Sequence, residues 1–315
     1  MSLHAVKILE INFTNNQQKD ILKEIQKYLF QAAHNVQFVT QKGVKPWVIV
    51  TPNPEQIVFA HKNSHFRDIL NRADISLPDG VGVVWASRFF NPQPRTQNTQ
   101  LIPGVIPGIT FMENLVSMAA LQRVPIALIG GSQGLALKAL ECLQKKHQGL
   151  LGWATDGPEV EVGNNELRIR NYELGINYST APNPKSYIIN PKSTAGNEDV
   201  YFGQLASRIK ESGVKLVFVG LGAPKQEFFI EKLVHSSESI VQRNTKQKSM
   251  NPTIFMSVGG SFDEIAGRIL RAPGWVSRLG FKWLWRLIHE PWRIGRQSAL
   301  VHFVWLVLKK RYTLK

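Results

Sequence analysis

Short apolar runs recur along this chain, and each ends in a polar or glycine-bearing turn before an amphipathic stretch begins. Trp47-Val48-Ile49-Val50 opens one such unit. It passes through Thr51-Pro52-Asn53-Pro54-Glu55 into a helical pattern with apolar residues at Ile57, Ala60, Phe66, Ile69, Leu70 and Ala73. A second β-like run, Ile75-Ser76-Leu77, ends in Pro78-Asp79-Gly80, and the apolar segment from Val81 to Ala86 leads to Arg88. The order is strand, polar turn, helix, strand, acidic turn, helix. Such units build parallel sheets, and the turns after their strands lie where ligands bind. Thr51, Asn53 and Asp79 therefore mark a candidate site.

The same unit returns three times further on. Val124 to Ile129 runs into Gly130-Gly131-Ser132-Gln133-Gly134 and a helix over Leu135 to Gln144. Val214 to Val219 runs into Gly220-Leu221-Gly222-Ala223-Pro224-Lys225-Gln226-Glu227 and a helix to Val234. Ile254 to Val258 runs into Gly259-Gly260-Ser261-Phe262-Asp263-Glu264 and another helix. Residues 5–13 read as a first strand, 16–33 as an amphipathic helix, and 110–122 and 201–211 as further helices. The predicted fold class is α/β, a Rossmann-like open parallel sheet with helices on both faces and right-handed crossovers. Three segments break the rhythm. Residues 91–108, rich in Pro, Gln, Asn and Gly, read as a mobile loop, and 236–252 as a polar one. Residues 156–199 read as an insertion that carries one irregular hairpin or stays a partly disordered loop.

Charge changes the picture at the C-terminal end. The 315 residues are 43% hydrophobic, enough for a sizeable core, and carry a formal net charge of +15. Residues 268–315 alone hold eleven Lys or Arg against one acid, Glu290, together with five of the eight tryptophans. We therefore divide the chain into an α/β catalytic domain, 1–267, and a C-terminal appendage, 268–315. Tryptophan with Lys and Arg suits a segment lying at an anionic membrane surface. Residues 299–308, ALVHFVWLVL, are too short to span a bilayer and end in Lys309-Lys310-Arg311. That favours shallow insertion over the alternative, a terminal helix docked on the core with its cations solvated. The single cysteine, Cys142, excludes an internal disulfide and a thiolate metal cluster. With no apolar run of spanning length and no signal-peptide pattern, a cytoplasmic, membrane-peripheral protein is expected.

Candidate chemistry is sparse. The seven aspartates form no D-x-D pair and the histidines show no ligand spacing, so no metal and no other cofactor is expected. The Gly130-Gly131 turn is open to two readings, an anion site at a helix N-terminus or a tight turn needing small residues. Pro78-Asp79-Gly80 is, on its residues alone, most simply a β-turn. Asp263 and Glu264 read as helix caps, with a place at a strand's carboxyl end as the second reading. Arg286, Arg293 and Arg296 share one helical face, interrupted at Pro291, and could meet a diphosphate.

TPNPE with PDGVGVVWASR, then GLGAPKQE, then GGSFDEIAGRILRAPGW and WLWRLIHEPWRIGR, resemble in order the motifs of the WecG/TagA/CpsF bacterial glycosyltransferases. The resemblance covers almost the whole chain outside 156–199. It implies an inverting transfer of an N-acetylhexosamine, with N-acetylmannosamine foremost, from a UDP-sugar to an undecaprenyl-diphosphate-linked N-acetylglucosamine in cell-surface polysaccharide synthesis. It also implies a peripheral seat on the inner face of the cell membrane. By resemblance Asp79 is the catalytic base, Thr51, Asn53 and Gln226 contact substrate, and Arg286, Arg293 and Arg296 lie near the acceptor diphosphate. The sequence departs from the pattern at Val105–Thr110, where the family carries an Arg and an Asp, and at Phe281-Lys282-Trp283, where it carries Leu-Glu-Trp. Arg88 or Arg95 is expected to take the place of the missing arginine. The partners expected are therefore the UDP-sugar donor, the polyprenyl-diphosphate-linked acceptor and an anionic membrane, with a homo-oligomer left open. A basic nucleic-acid-binding protein is the first rival, opposed by the clustering of charge with an apolar tail. A nucleotide-dependent oxidoreductase is the second, opposed by the absence of GxGxxG.

Overall fold

The computed structural model describes residues 3–31, 45–90, 101–163, 166–169, 176–177, 198–243, 252–278, 281–291 and 294–313. The chain begins with β1 (Ala5–Ile8), β2 (Ile11–Thr14) and α1 (Gln18–Gln31). There follow β3 (Trp47–Val50), α2 (Pro54–Lys62), α3 (Ser64–Arg72), β4 (Ile75–Ser76), α4 (Val81–Phe90) and α5 (Gly108–Leu121). The middle holds β5 (Ile126–Gly130), α6 (Leu135–Lys146), β6 (Gly152–Thr155), β7 (Val160–Gly163), β8 (Glu166–Ile169) and β9 (Ile176–Asn177). Then come α7 (Glu198–Glu211), β10 (Leu216–Gly220), α8 (Lys225–Arg243), β11 (Ile254–Ser257) and α9 (Ser261–Ile265). The end is helical, with α10 (Gly274–Arg278), α11 (Lys282–His289) and α12 (Ile294–Thr313).

Seven strands form the central sheet in the order β4-β3-β11-β10-β5-β6-β9. The first six run parallel, and β9 closes the far edge antiparallel to β6. This is the Rossmann-like α/β sheet expected from the strand–turn–helix rhythm. Burial on both faces explains the unbroken apolar strands. Along β10, Val217 and Val219 enter one core while Leu216 and Phe218 enter the other. The first core includes residues of α2, α3, α7, α8 and α12, and the second includes residues of α1, α5, α6 and α9.

Several elements differ from the sequence expectation. Residues 5–13 do not make one strand but part of a hairpin, β1 paired with β2 outside the main sheet. Its turn uses Leu9 and Glu10 at φ 46° and 70°, a left-handed pair usually given to Asn or Gly, so no turn signal stands in the sequence. The helical pattern after Thr51 divides at Asn63. That residue ends α2 and caps α3, accepting the Phe66 N–H at 2.8 Å. α8 continues to Arg243, into the stretch read as polar loop. The segment 156–199 contributes the β7–β8 hairpin and the short edge strand β9. Most of its remainder, with residues 91–100 of the loop after Arg88, lies outside the described residues.

One glycine sets how closely two strands approach. Gly130 has φ 127°, and a Cβ there would fall 2.7 Å from the backbone carbonyl of Gly220. The carboxyl ends of β5 and β10 can therefore pack edge to edge, which fixes the turn that follows Gly220.

One face of α12 docks on the domain, as in the alternative reading of this segment. Phe303, Leu306 and Val307 are buried in the first core, and the helix packs on α2. The opposite face leaves Val301, Val304, Trp305 and Leu308 exposed. Among the described residues, no helix is long and apolar enough to cross a membrane.

Candidate functional site

A cleft of about 530 Å³ opens at the carboxyl ends of β3, β4, β10 and β11, walled on one side by α11. In an open parallel sheet this edge receives the N-termini of the following helices, here α2 and α8 among them, and is where ligands bind. The cleft's volume falls within the range of small-molecule sites.

The first wall is the turn after β3. Thr51 is buried, and α5 begins against it: a Cβ on Gly108 would lie 3.2 Å from Thr51 Cγ2. Asn53 caps α2 in a capping box. Its side-chain oxygen accepts the Gln56 N–H at 3.0 Å, and Gln56 Oε1 accepts the Asn53 N–H at 3.1 Å. The cap fixes the Asn53 oxygen and leaves its amide N–H₂ group to be used elsewhere.

Asp79 lies in the adjoining turn after β4. Its N–H donates to Pro52 O at 3.3 Å, and Gly80 takes φ 103° just after it, which turns the chain sharply into α4. Burial pushes the Asp79 carboxyl up to about 6; Lys282 pulls it down, Glu264 pushes it up and Arg286 pulls it down. A carboxylate poised near neutrality, in a cleft, has the character of a general base.

The opposite wall is held by a buried polar relay. Glu227 Oε1 accepts the side-chain amides of Gln56 at 3.0 Å and Gln226 at 2.8 Å. Gln226 Oε1 in turn accepts the Gly259 N–H at 2.8 Å. Three turns of the cleft, after β3, β10 and β11, are thereby tied to one carboxylate. Gln226 lines the cleft, but both ends of its amide are engaged in this relay. Burial pushes the Glu227 carboxyl up to about 7, opposed first by its hydrogen bond from Gln226. Glu227→Leu would orphan two buried amides and is expected to cost roughly 3 kcal/mol. Glu227→Gln keeps the accepting oxygen and is expected to stay close to wild type. Urea unfolding checks both, and a Leu variant as stable as wild type would contradict the tie.

α11 supplies the cations. Lys282 and Arg286, one turn apart, both line the cleft. Glu264 lies 3.3 Å from Lys282 Nζ and 3.8 Å from Arg286 Nη1. Arg286 Nε donates to the buried Glu290 at 2.9 Å. Asp263 lines the same wall, its carboxyl raised by burial against the pull of Arg268 and Arg286. Both Asp263 and Glu264 thus face the cleft, the second reading of their sequence.

Of the residues singled out in the sequence, the structure brings Thr51, Asn53, Asp79, Gln226 and Arg286 to one cleft. Arg88 sits exposed on α4 and is not among the residues that line it. Arg293 and Arg95 lie outside the described residues; Arg296 falls in the first turn of α12, with its side chain outside them. The glycine turn after β5 is not an open anion site, because Asp156 Oδ2 accepts the Gly134 N–H at 2.9 Å. Sequence reasoning missed Gln56, Glu227 and the place of Lys282. The only signal for the last was its four-residue spacing to Arg286. Among the described residues, no group of three or more His, Cys, Asp or Glu could hold a metal ion.

The family described as "Glycosyl transferase WecG/TagA/CpsF family" matches residues 6–169 and 190–315. Residues 170–189, left out of the match, fall within the segment read as an insertion.

Proposed function

The chain belongs to the WecG/TagA/CpsF glycosyltransferase family, and on that premise we propose that it moves N-acetylmannosamine from its UDP-sugar to a polyprenyl-diphosphate-linked N-acetylglucosamine. Membership makes it a transferase of cell-surface polysaccharide synthesis, with a sugar donor and an acceptor as substrates. The observation that carries a base-assisted transfer is the Asp79 carboxyl, raised to about 6 in a cleft that also presents Lys282 and Arg286; the choice of sugar and acceptor rests on the family resemblance.

In the proposed reaction the acceptor hydroxyl attacks the anomeric carbon of the donor as the bond to UDP breaks, with inversion. Asp79 takes the hydroxyl proton, and UDP departs with the electron pair of the broken bond. Thr51 and the free amide of Asn53 face the sugar, while Gln226 holds the turn at Gly259 in place. Arg286 serves the acceptor diphosphate. The reaction as proposed uses side-chain cations and no metal.

We place the protein on the inner face of the membrane. The support is the exposed apolar surface of the last two helices, Trp283, Leu284 and Ile288 on α11 and Val301 and Trp305 on α12. Lys309 lies over the Trp305 ring at 4.8 Å, joining cation and ring on one surface.

A panel of radiolabelled UDP-sugars offered with a lipid-diphosphate-N-acetylglucosamine analogue tests the reading. Label should pass to the lipid from UDP-N-acetylmannosamine, undiminished by EDTA. Transfer from another UDP-sugar would change the donor, and transfer from none would remove the reading.

A further inference from the structure

We propose that Lys282 is a catalytic-site cation that leaves Glu264 to bind a substrate diphosphate, acting with Arg286 as the two halves of one anion cradle on α11. The inference rests on the transferase reading and extends it to a residue that departs from the family pattern.

Three observations carry it. First, the two cations are not held alike. Arg286 is anchored, its Nε bonded to the buried carboxylate of Glu290 at 2.9 Å. Lys282 has a single ion pair among the described residues, the 3.3 Å contact with Glu264, longer than a charged hydrogen bond prefers, and a third of its side chain is exposed. A flexible four-carbon stem on a loose contact can move at little cost.

Second, the cradle has an open donor. Arg286 Nη2 is buried with no hydrogen-bond partner, and it lies over Gly260, where a Cβ would be 3.4 Å away. A buried guanidinium N–H without an acceptor is costly unless an anion arrives to accept it. The missing side chain at position 260 keeps that approach open. Third, Lys282 and Asp79 line the same cleft, and the Lys282 charge is the strongest acting on that carboxyl, so the cation and the proposed base share one reaction space.

In the cleft without ligand, Glu264 and Glu290 pair with Lys282 and Arg286. An incoming diphosphate carries its own negative charge, and Lys282 exchanges Glu264 for it. Diphosphate occurs on both proposed substrates, at the donor's leaving group and at the acceptor's lipid anchor.

Lys282→Ala and Lys282→Arg in the full chain, with Lys27→Ala on α1, which does not line the cleft, as a control for lost charge, separate the outcomes. Affinity for UDP is read by calorimetry, and KM is read for the lipid-diphosphate-N-acetylglucosamine analogue. We expect Lys282→Ala to weaken one of the two by about 10- to 100-fold, Lys282→Arg to recover most of it, and Lys27→Ala to change neither. A loss confined to UDP assigns the Lys282–Arg286 cradle to the donor and corrects the acceptor role given to Arg286, and a loss confined to the analogue assigns the cradle to the acceptor. The acidic limb of kcat/KM should also move to higher pH in Lys282→Ala, because Asp79 loses the positive charge that lowers it most while Glu264 and Arg286 remain. Unchanged affinity for both diphosphates overturns the inference. Wild-type protein that binds neither would instead overturn the transferase reading beneath it.

Discussion

Asp79→Asn should abolish sugar transfer and leave the protein at least as stable as wild type. The activity loss follows from chemistry: an amide cannot take the acceptor's proton, and a positioned base contributes about 10²- to 10⁴-fold. The stability result follows from burial. The folded-state pKa of Asp79 is raised from 3.8 to about 6. Between those values the folded protein binds more protons than the unfolded chain. Stability therefore falls as pH rises through that window, and the loss persists at neutral pH. Asparagine removes this cost, which is limited to at most about 2 kcal/mol because Asp79 as a residue is only half-buried. Thermal melts should show the variant level with wild type near pH 4 and equal or higher near pH 7.5. A melting point several degrees lower at pH 7.5 would make Asp79 a structural turn residue, the simpler reading of Pro78-Asp79-Gly80.

The same shift fixes the pH profile of the wild-type enzyme. Protonated Asp79 cannot act as base, so kcat/KM should fall about tenfold per pH unit below about 6. An acidic limb near 4 would mean that the cleft is wetter than its walls suggest, or that another group takes the proton.

What the sequence made legible was local. The apolar runs of β3, β5, β10 and β11 and the turns after them were readable because strands buried on both faces leave an unbroken apolar signal. Thr51, Asn53 and Asp79 stood in such turns, Gln226 was named by the family resemblance, and strand order puts all four at one cleft. What was hidden was non-local. Glu227 bonds Gln56 across 171 residues of sequence, and neither position carries a pattern that names its partner. β6 was missed because Gly152-Trp153-Ala154-Thr155 is short and runs straight into the polar segment at Asp156. The turn at Gly130 read equally as an anion site, and only the fold shows that Asp156 fills it. Arg88 could be counted but not aimed: an α4 register that buries Val84 and Ser87 turns Arg88 outward. Lys282 reaches the cleft because α11 folds back over β11's turn, a docking no periodicity encodes.

The C-terminal helix gives the other large effect, because its two faces do different work. Phe303→Ala should cost about 3–5 kcal/mol, the range for emptying a fully buried aromatic site. Phe303 is 1% exposed and packs with Leu306 and Val307 into the core that α2 shares. A Cβ added to Gly82 would lie 3.0 Å from Pro54 and 3.5 Å from the Phe303 ring, so the first turns of α2 and α4 and the middle of α12 meet at one point. Those are the turns that carry Asn53 and follow Asp79, so a cavity there loosens the cleft as well as the fold, and residual transfer should fall with stability. Trp305→Glu, on the 52% exposed side of the same helix, should change unfolding free energy by only about 0.5 kcal/mol. It should instead weaken binding to anionic vesicles, because it places a negative charge where an aromatic ring meets lipid. Deleting 268–315 would not separate these roles, since it strips Phe303 from the core together with the outer face. Denaturant unfolding and vesicle sedimentation on the two point variants do separate them. A Phe303→Ala variant losing less than about 1 kcal/mol would mean that α12 is not docked on the domain. Unchanged vesicle binding by Trp305→Glu would remove its outer face from the membrane contact.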